Sequence, residues 1–196
     1  MGDTEAAGTA SRLKRADARR NEKTLLDAAA DVFVASGVDA PIRDIAAKAG
    51  VGTATIYRHF PTRADLIIAV YRHQVEGLAH AGPHLLATAE SPYAALRRWV
   101  DLFVDFLVTK HGLAAVLQSD DSCFDSLHAY FLERLVPVCT QLLDATVASG
   151  EIRSDMGALE VMRGVGSLCA GAGGKYGYDA RLLVDILITG LRQPGA

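Results

Sequence analysis

Hydrophobic residues recur at helical spacing along most of the chain, and no segment alternates strongly enough to predict a β-strand. The clearest pattern lies between residues 41 and 60, where two short helical patterns are separated at Gly50. Gly50 stands where a helix must end in a left-handed residue, a conformation that a side chain penalises. Ile56 and Phe60 are four residues apart, so both should face inward from the second helix. The pattern predicts a helix-turn-helix.

The second helix of this motif is expected to begin with Thr53 as its capping residue. Its outward positions carry hydroxyl, phenol, imidazole and guanidinium groups and no carboxylate. Such groups contact phosphate oxygens and base edges without repelling them. The face therefore suits a DNA groove, and the alternative is a helical hairpin within a larger bundle. The outward residues are Thr53, Ala54, Thr55, Tyr57, Arg58 and His59.

Three segments in and around the motif form a recognisable set. A first helix over 24–36 ends at Gly37, and it is followed by the runs 44–51 and 55–60. Together, residues 24–71 resemble the DNA-binding domain of the TetR (tetracycline-repressor) family of bacterial transcriptional regulators. The resemblance implies an all-α fold, in which an N-terminal three-helix DNA-binding domain is joined by a long helix to a larger helical domain for ligand binding and dimerisation. It also implies a ligand-responsive regulator, which we expect to be a repressor.

The resemblance suggests which side chains touch DNA. In the resembling family the positions of Tyr57 and Arg63 hold phosphates, and we expect Arg58 to do the same. Arg43, from the preceding helix, is expected to read a guanine, because this surface has no Asn or Gln to read adenine. The residues expected along the major groove are Arg43, Thr53, Ala54, Thr55 and His59.

The distribution of charge indicates that DNA contacts the N-terminal region of the chain. The formal net charge is -3, which by itself disfavours nucleic acid. From Ser11 to Arg63, however, ten Lys and Arg face six Asp and Glu, whereas from Ala64 onward ten face fifteen. A local positive surplus attracts phosphate even in an acidic protein. We therefore expect double-stranded DNA as a partner of the N-terminal region.

Composition limits the class of protein further. With 196 residues, of which 50% are hydrophobic, the chain can bury one substantial core and a smaller one. No long uncharged apolar run and no signal peptide is recognisable, so we expect a cytoplasmic protein without membrane contact. The three cysteines are too few and too widely spaced for a disulfide framework.

We expect three regions along the chain. These are a disordered basic arm over 1–17, a helix-turn-helix domain over 18–62, and an effector-binding and dimerisation domain over 63–196. The fourth helix should begin at Thr62, because this residue and the acid three positions later form a capping box, and it should end near Ala81.

A concentration of aromatic residues in the larger domain predicts a ligand pocket. The aromatic residues recur on two helices, and Pro137 is expected to kink the second of these, which prevents uniform close packing. Pockets form at such places, and we expect an apolar or aromatic small-molecule effector. The alternative is an ordinary aromatic core. The expected effector-binding residues are Trp99, Phe103, Phe106, His73, His128, Tyr130 and Phe131.

The last two helices carry more apolar surface than one domain can hide. A two-fold homodimer with four helices packed across the axis would bury this surface. Such symmetry places two DNA-reading helices on one side, which implies a near-palindromic operator with half-sites one helical turn, or a multiple, apart. The residues expected at the interface are Leu159, Met162, Val165, Leu183, Ile186, Leu187 and Gly190.

No group of residues composes a catalytic site, so we expect neither an enzyme nor a cofactor. The segment 173–175 reads Gly-Gly-Lys but lacks the earlier glycine and the strand that a phosphate loop requires. Asp120, Asp121 and Asp125 are better explained by a helix dipole than by a metal ion, and we expect no metal site. The function that competes with DNA binding is that of a helical adaptor, which would use the same helices for protein contacts.

Overall fold

The computed structural model describes residues 3–117, 121–153, 156–170 and 177–192, with side chains at 20–107 and from 125 onward within these ranges. This part of the chain is all-α, as predicted, and its β-type pairing is limited to one isolated antiparallel bridge between Ile152 and Arg192. None of the helices described is long and apolar enough to cross a membrane.

Eight helices follow one another in the described residues. They are α1 (Asp3–Ser36), α2 (Ile42–Ala49), α3 (Thr53–His59), α4 (Arg63–Thr88), α5 (Pro92–Leu117), α6 (Asp121–Ala148), α7 (Ala158–Ala170) and α8 (Ala180–Thr189).

Helix α1 is longer than predicted. It begins at Asp3, whereas the sequence pattern predicts a disordered arm over 1–17. Alanine and arginine are frequent between Glu5 and Arg20, and both have high helix propensity. The arm was predicted from the lack of apolar periodicity, but helix propensity alone favours helix in this segment.

Helix α4 also passes its predicted end near Ala81 and continues through Pro83 to Thr88. Proline removes one helical hydrogen bond, so packing must stabilise the helix at this point. At Gly82 a Cβ atom would collide with Cγ1 of Val138 on α6. This close approach of α4 and α6 explains how the helix persists across the proline.

The chain divides into two compact units, Met1–His73 and Gln74–Ala196. The boundary lies inside α4, beyond the predicted end of the DNA-binding domain. Two long-range contacts explain why the first turns of α4 belong to the first unit. Nε2 of His73 lies 2.6 Å from Oδ1 of Asp27 on α1, and Arg63 donates hydrogen bonds to the segment between α1 and α2.

The turn between α2 and α3 has the predicted conformation. Gly50 is left-handed with a φ of 68°, and its N–H donates to carbonyl groups in the last turn of α2. The N–H of Val51 donates to the carbonyl oxygen of Ala46 at 3.0 Å, so the carbonyls at this helix end are satisfied. Ile56 and Phe60 are buried, as predicted. The core of this unit also includes Leu25, Ala29, Phe33, Ile45 and Leu66.

The caps of the first unit agree with prediction at one helix and differ at another. Helix α4 begins with the predicted capping box, in which Thr62 Oγ1 accepts from the N–H of Asp65 at 3.1 Å and Asp65 Oδ2 accepts from the N–H of Thr62 at 2.9 Å. Helix α3 is capped by Gly52, so the prediction that Thr53 is its capping residue is wrong. Thr53 is the first helical residue and is exposed.

Aromatic side chains of α5 and α6 stack in the core of the second unit. Trp99 is fully buried, and its Nε1 donates to the carbonyl oxygen of Leu78 at 3.0 Å. The ring of Phe103 lies 5.5 Å from that of Trp99 and 6.0 Å from that of Phe131, measured between centroids. The contact of Phe103 with Phe131 holds α5 against α6, and the bond from Trp99 joins α5 to α4.

The Gly-Gly-Lys run 173–175, considered above as a phosphate loop, lies outside the described residues. So does Asp120, considered above as a metal ligand. Within the residues that are described, no three His, Cys, Asp or Glu side chains are grouped so that they could hold a metal ion.

Cys139 and Cys169 are buried free thiols. Burial raises the pKa of the Cys139 thiol to about 12, so this group is unreactive at neutral pH.

A carboxylate on α4 links this helix to α6 within the second unit. Glu76 accepts hydrogen bonds from Nε and Nη2 of Arg134, each at 2.7 Å, and from the hydroxyl of Tyr130. The bonds from Arg134, followed by the bond from Tyr130, lower the pKa of Glu76 from 4.5 to about 2. Bidentate pairing of this kind is among the stronger polar interactions in proteins.

Replacing Glu76 by Gln should make the second unit less sensitive to acid. Since the folded-state pKa is depressed, the stabilisation from Glu76 is complete above pH 4.5 and is lost as the pH falls toward 2. Urea denaturation followed by Trp99 fluorescence should therefore show a smaller loss in the free energy of unfolding over this pH range in Glu76→Gln than in the wild type.

Glu90→Gln is the matched control for this measurement. Glu90 also pairs with an arginine, Arg98 at 2.9 Å, but its side chain is 70% exposed, and exposed pairs contribute little. If Glu76→Gln loses stability on acidification as steeply as the wild type and Glu90→Gln do, the link between α4 and α6 does not contribute as described.

Candidate functional site

Helix α3 presents the outward face that its sequence predicts. Tyr57 keeps 52% of its surface exposed, although an aromatic ring gains most from burial. Thr55 is partly exposed, and no residue of α3 is acidic. The face therefore offers hydroxyl, aromatic and basic groups to solvent. Its exposed members are Thr53, Ala54, Tyr57, Arg58 and His59.

Two arginines of the helix-turn-helix extend into solvent. The side chain of Arg43, in the first turn of α2, is 82% exposed and makes only a 3.4 Å contact with the neighbouring Asp44. Nη2 of Arg58 donates to Oγ1 of Thr55 at 3.0 Å, which orients the guanidinium along α3. Exposed contacts of this kind are weak. Both guanidinium groups are thus accessible to an anionic partner.

Arg63, which was predicted to hold a phosphate, makes hydrogen bonds within the chain. Its side chain is partly buried, and Nε donates to the carbonyl oxygen of Val38 at 2.8 Å. Nη2 donates to the carbonyl oxygens of Val38 and Ala40. The guanidinium therefore joins the start of α4 to the segment between α1 and α2. The sequence gives no signal of this contact, because it spans more than twenty residues.

The second unit contains a cavity of about 330 Å³ among residues of α5, α6 and α7. This volume lies at the lower end of the range for small-molecule sites. The wall is mostly aromatic and aliphatic, and His128, Arg163 and Ser167 supply side-chain polar groups. The lining residues are Phe103, Leu107, His128, Phe131, Leu132, Leu159, Met162, Arg163, Gly166, Ser167 and Ala170.

Three of the predicted effector residues, Phe103, His128 and Phe131, line this cavity. Trp99 and Phe106 are buried, and their ring centroids lie 5.5 and 6.5 Å from that of Phe103. They therefore support the cavity wall through Phe103 without lining the cavity themselves. The aromatic pattern pointed to the part of the unit where this cavity lies, but not to the side of each helix that lines it.

The two remaining predicted effector residues are placed elsewhere. The hydroxyl of Tyr130 donates to Glu76, and His73 bonds to Asp27 in the first unit. Their polar groups are used in these contacts. The side chains that replace them as polar groups of the cavity are Arg163 and Ser167 on α7.

Helix α7 contributes about half of the cavity wall, and the sequence pattern assigned none of this helix to the effector. Leu159, Met162, Gly166 and Ala170 are three or four residues apart, so they share one helix face. The small residues Gly166 and Ala170 leave room beside that face. This alternation of large and small residues is the feature of the sequence that could have indicated that α7 lines a cavity.

The residues predicted at the dimer interface differ in burial. Met162 and Val165 are buried within the second unit, because they face α5 and α6 rather than solvent, and they offer no surface to a partner. Leu187 is partly exposed. Leu182, which was not predicted, adds a largely exposed apolar side chain on α8. The exposed predicted residues are Leu159, Leu183, Ile186 and Gly190.

Two protein-family models match the chain. Residues 25–70 match the model of bacterial regulatory proteins of the tetR family, which covers the helix-turn-helix. Residues 91–193 match the C-terminal domain of SbtR-like transcriptional regulators, which covers the cavity and the last two helices. The second match alone includes more than half of the chain.

Individual relatives agree with these models. A TetR transcriptional regulator from Streptomyces coelicolor is 35% identical, with a TM-score of 0.77 over 89% of this chain and 99% of that one. The repressor LfrR of Mycolicibacterium smegmatis is 40% identical over 44% of this chain and 45% of its own length. The activator FasR of the same organism is 35% identical over 56% and 50%, respectively. The chain thus spans about half the length of these two curated relatives.

These relatives include a repressor and an activator of transcription. Regulators of this kind are not enzymes, which agrees with the prediction drawn from the lack of a catalytic motif. The two model matches and the similarity to the Streptomyces structure agree with the helix-turn-helix and the helical second unit described above. The chain belongs to the TetR family of bacterial transcriptional regulators.

Proposed function

We propose that this protein is a sequence-specific DNA-binding transcriptional regulator, a repressor that a small effector releases from its operator. The observation that carries the proposal is the outward face of α3, which has no acid and exposes Tyr57, Arg58 and His59. Arg43 at the start of α2 adds an exposed guanidinium. A face of this composition fits the major groove and its flanking phosphates.

The side chains of this surface divide into two roles. Arg43 reads a guanine through its guanidinium fork, and the methyl groups of Ala54 and Thr55 contact thymine. Tyr57 and Arg58 hold phosphates on either side of the groove. Thr53 and His59 complete the groove-facing row. Arg63 is left out of the proposed DNA contacts, because its Nε and Nη2 donate to backbone carbonyls of the segment before α2.

A homodimer would present two such faces to one operator. The exposed apolar residues of α8, with Leu159 of α7, support a two-fold interface between these helices. The operator is then a near-palindrome whose half-sites are separated by one helical turn or a multiple.

Release by the effector is proposed to run through α4. Helix α6 lines the cavity with His128 and Phe131 and holds Glu76 of α4 through Arg134. A ligand with higher affinity for one arrangement of α6 shifts the population of α4 arrangements. Coupling of this kind is typically about 1–3 kcal/mol. The effector has an apolar or aromatic body that matches the wall of the cavity.

A gel-shift titration against the DNA around the gene tests the proposal directly. A regulator should shift one fragment at concentrations far below those needed for unrelated duplex. The competing function, a helical adaptor, has no reason to prefer any sequence. Equal affinity for all fragments at fixed salt would favour the adaptor.

Replacing Arg43 by Ala should cost about 1–3 kcal/mol of binding free energy on the preferred operator and relax the preference at one base pair. The reason is the loss of one bidentate contact to a base. Fluorescence-anisotropy titrations on a set of single-position operator variants measure both effects. If the affinity for all operator variants falls by the same factor, Arg43 does not read a base.

Arg63→Lys is the comparison variant for this series. Lysine keeps the charge but lacks the planar fork through which Nε and Nη2 of Arg63 bond to Val38 and Ala40 together. We expect weaker binding to all sequences and an unchanged dependence of affinity on salt. A phosphate ligand would behave differently, because the loss of one phosphate contact lowers the salt slope by about 1. Arg63→Ala should therefore also leave the slope unchanged.

Ile186→Glu should dissociate the proposed dimer. Ile186 is 58% exposed in the single chain, and a charge buried without a partner at an interface destabilises the complex. Sedimentation at micromolar concentration should show a dimer for the wild type and a monomer for the variant. Val34→Glu is the control, since Val34 is also 58% exposed but lies on α1. A wild-type monomer, or a dimer unaffected by Ile186→Glu, contradicts the interface.

A further inference from the structure

Among the described residues, the wall of the cavity contains a guanidinium and no acid. Arg163 and Ser167 are four residues apart on α7, so they share one helix face, and both line the cavity. His128 lines it from α6. No Asp or Glu occurs among the described residues of the wall. The polar groups of the cavity therefore favour a negative ligand.

Other arginines of the second unit are already paired with carboxylates. Arg97 pairs with Asp185, Arg98 with Glu90, Arg134 with Glu76, and Arg181 with Asp105.

Arg163 is different, because no hydrogen bond or ion pair joins its guanidinium to any group in the described part of the chain. Glu160, three residues earlier on α7, accepts instead from the N–H of Gly157 at 2.6 Å. Arg163 is exposed, so its guanidinium is accessible to a ligand that enters the cavity from solvent.

The remainder of the wall is apolar. Phe103 and Phe131 stack with centroids 6.0 Å apart and an interplanar angle of 25°. The buried Met162 adds a flexible thioether side chain that adapts to the shape of a ligand. A ring or a short aliphatic chain would replace water against these surfaces at a gain in free energy. The cavity combines an apolar wall with one free guanidinium.

We propose that the cavity binds a small apolar carboxylate. The hydrocarbon body lies against Phe103, Phe131 and Met162, and the carboxylate accepts hydrogen bonds from the guanidinium of Arg163 and the hydroxyl of Ser167. Carboxylate is the head group that matches the planar fork of arginine. This inference rests on the proposed function, in which the same cavity holds the effector, and it names the chemical class of that effector.

Isothermal titration calorimetry with matched pairs of compounds tests the head group. The compounds are 4-phenylbutyrate, cyclohexanecarboxylate and octanoate, each compared with its primary amide, which has a similar shape and no charge. At least one carboxylate should bind the full-length protein about tenfold more tightly than its amide. If no carboxylate binds, or if each binds no better than its amide, the proposal is wrong.

Two variants assign the effect to a residue. Arg163→Gln should abolish the preference for carboxylate and leave the affinity for the amide within about twofold, which also shows that the variant is folded. Arg181→Gln removes the same charge from the same unit, but Arg181 is paired with Asp105, so the preference should persist. Equal loss in both variants would indicate general charge attraction and overturn the assignment of Arg163.

Operator affinity, measured without and with the carboxylate, separates this inference from the proposed function. Binding that depends on Arg163 but leaves operator affinity unchanged supports the ligand class and contradicts the proposed release. Release of DNA by the amides as effectively as by the carboxylates supports an effector site and overturns the ligand class. Both readouts use the intact chain, so one set of preparations answers both questions.

Discussion

The hydrogen bonds of one arginine tie the helix-turn-helix to the start of α4. Helix α2 has only eight residues, Pro41 precedes it, and no side chain caps its start, so local interactions define it weakly. Arg63 compensates by donating to the carbonyl oxygens of Val38 and Ala40, just before that helix. Hydrogen bonds from charged donors contribute about 1.5–3 kcal/mol each. The turn at Gly50 then transmits the position of α2 to α3.

Polar contacts also occur along the rest of α4, and some of them involve α6, which lines the cavity. Its first half is joined to the first unit by Arg63 and by His73, which bonds to Asp27. Its second half carries Glu76, which Arg134 and Tyr130 of α6 hold. Helix α6 also lines the cavity. Each of these links is polar and directional, so a shift of one helix alters hydrogen-bond geometry at the next, as the proposed release by an effector requires.

Features that local chemistry determines could be predicted from the sequence. The left-handed Gly50, the buried Ile56 and the capping box at Thr62 each depend on residues within a few positions. The burial of Met162 and the contacts of Arg63 could not be predicted, because they depend on which distant segment lies opposite. Aromatic spacing pointed to the region of Phe103 and Phe131, where the cavity lies. It gave no indication of which face of α7 lines that cavity. Long-range packing decides which face of a helix stays exposed. The spacing of hydrophobic residues within that helix does not reveal which face this is.

Selection of bound duplexes from a random-sequence pool tests the central claim, that α2 and α3 form a DNA-reading face presented twice by a dimer. The bound fraction should become enriched in one inverted repeat, with half-site centres about ten base pairs, or a multiple, apart. The same selection with Tyr57→Ala should recover the same repeat at lower yield, because a phosphate contact carries no sequence information. A pool that shows no enriched inverted repeat after repeated rounds at moderate salt would contradict the claim.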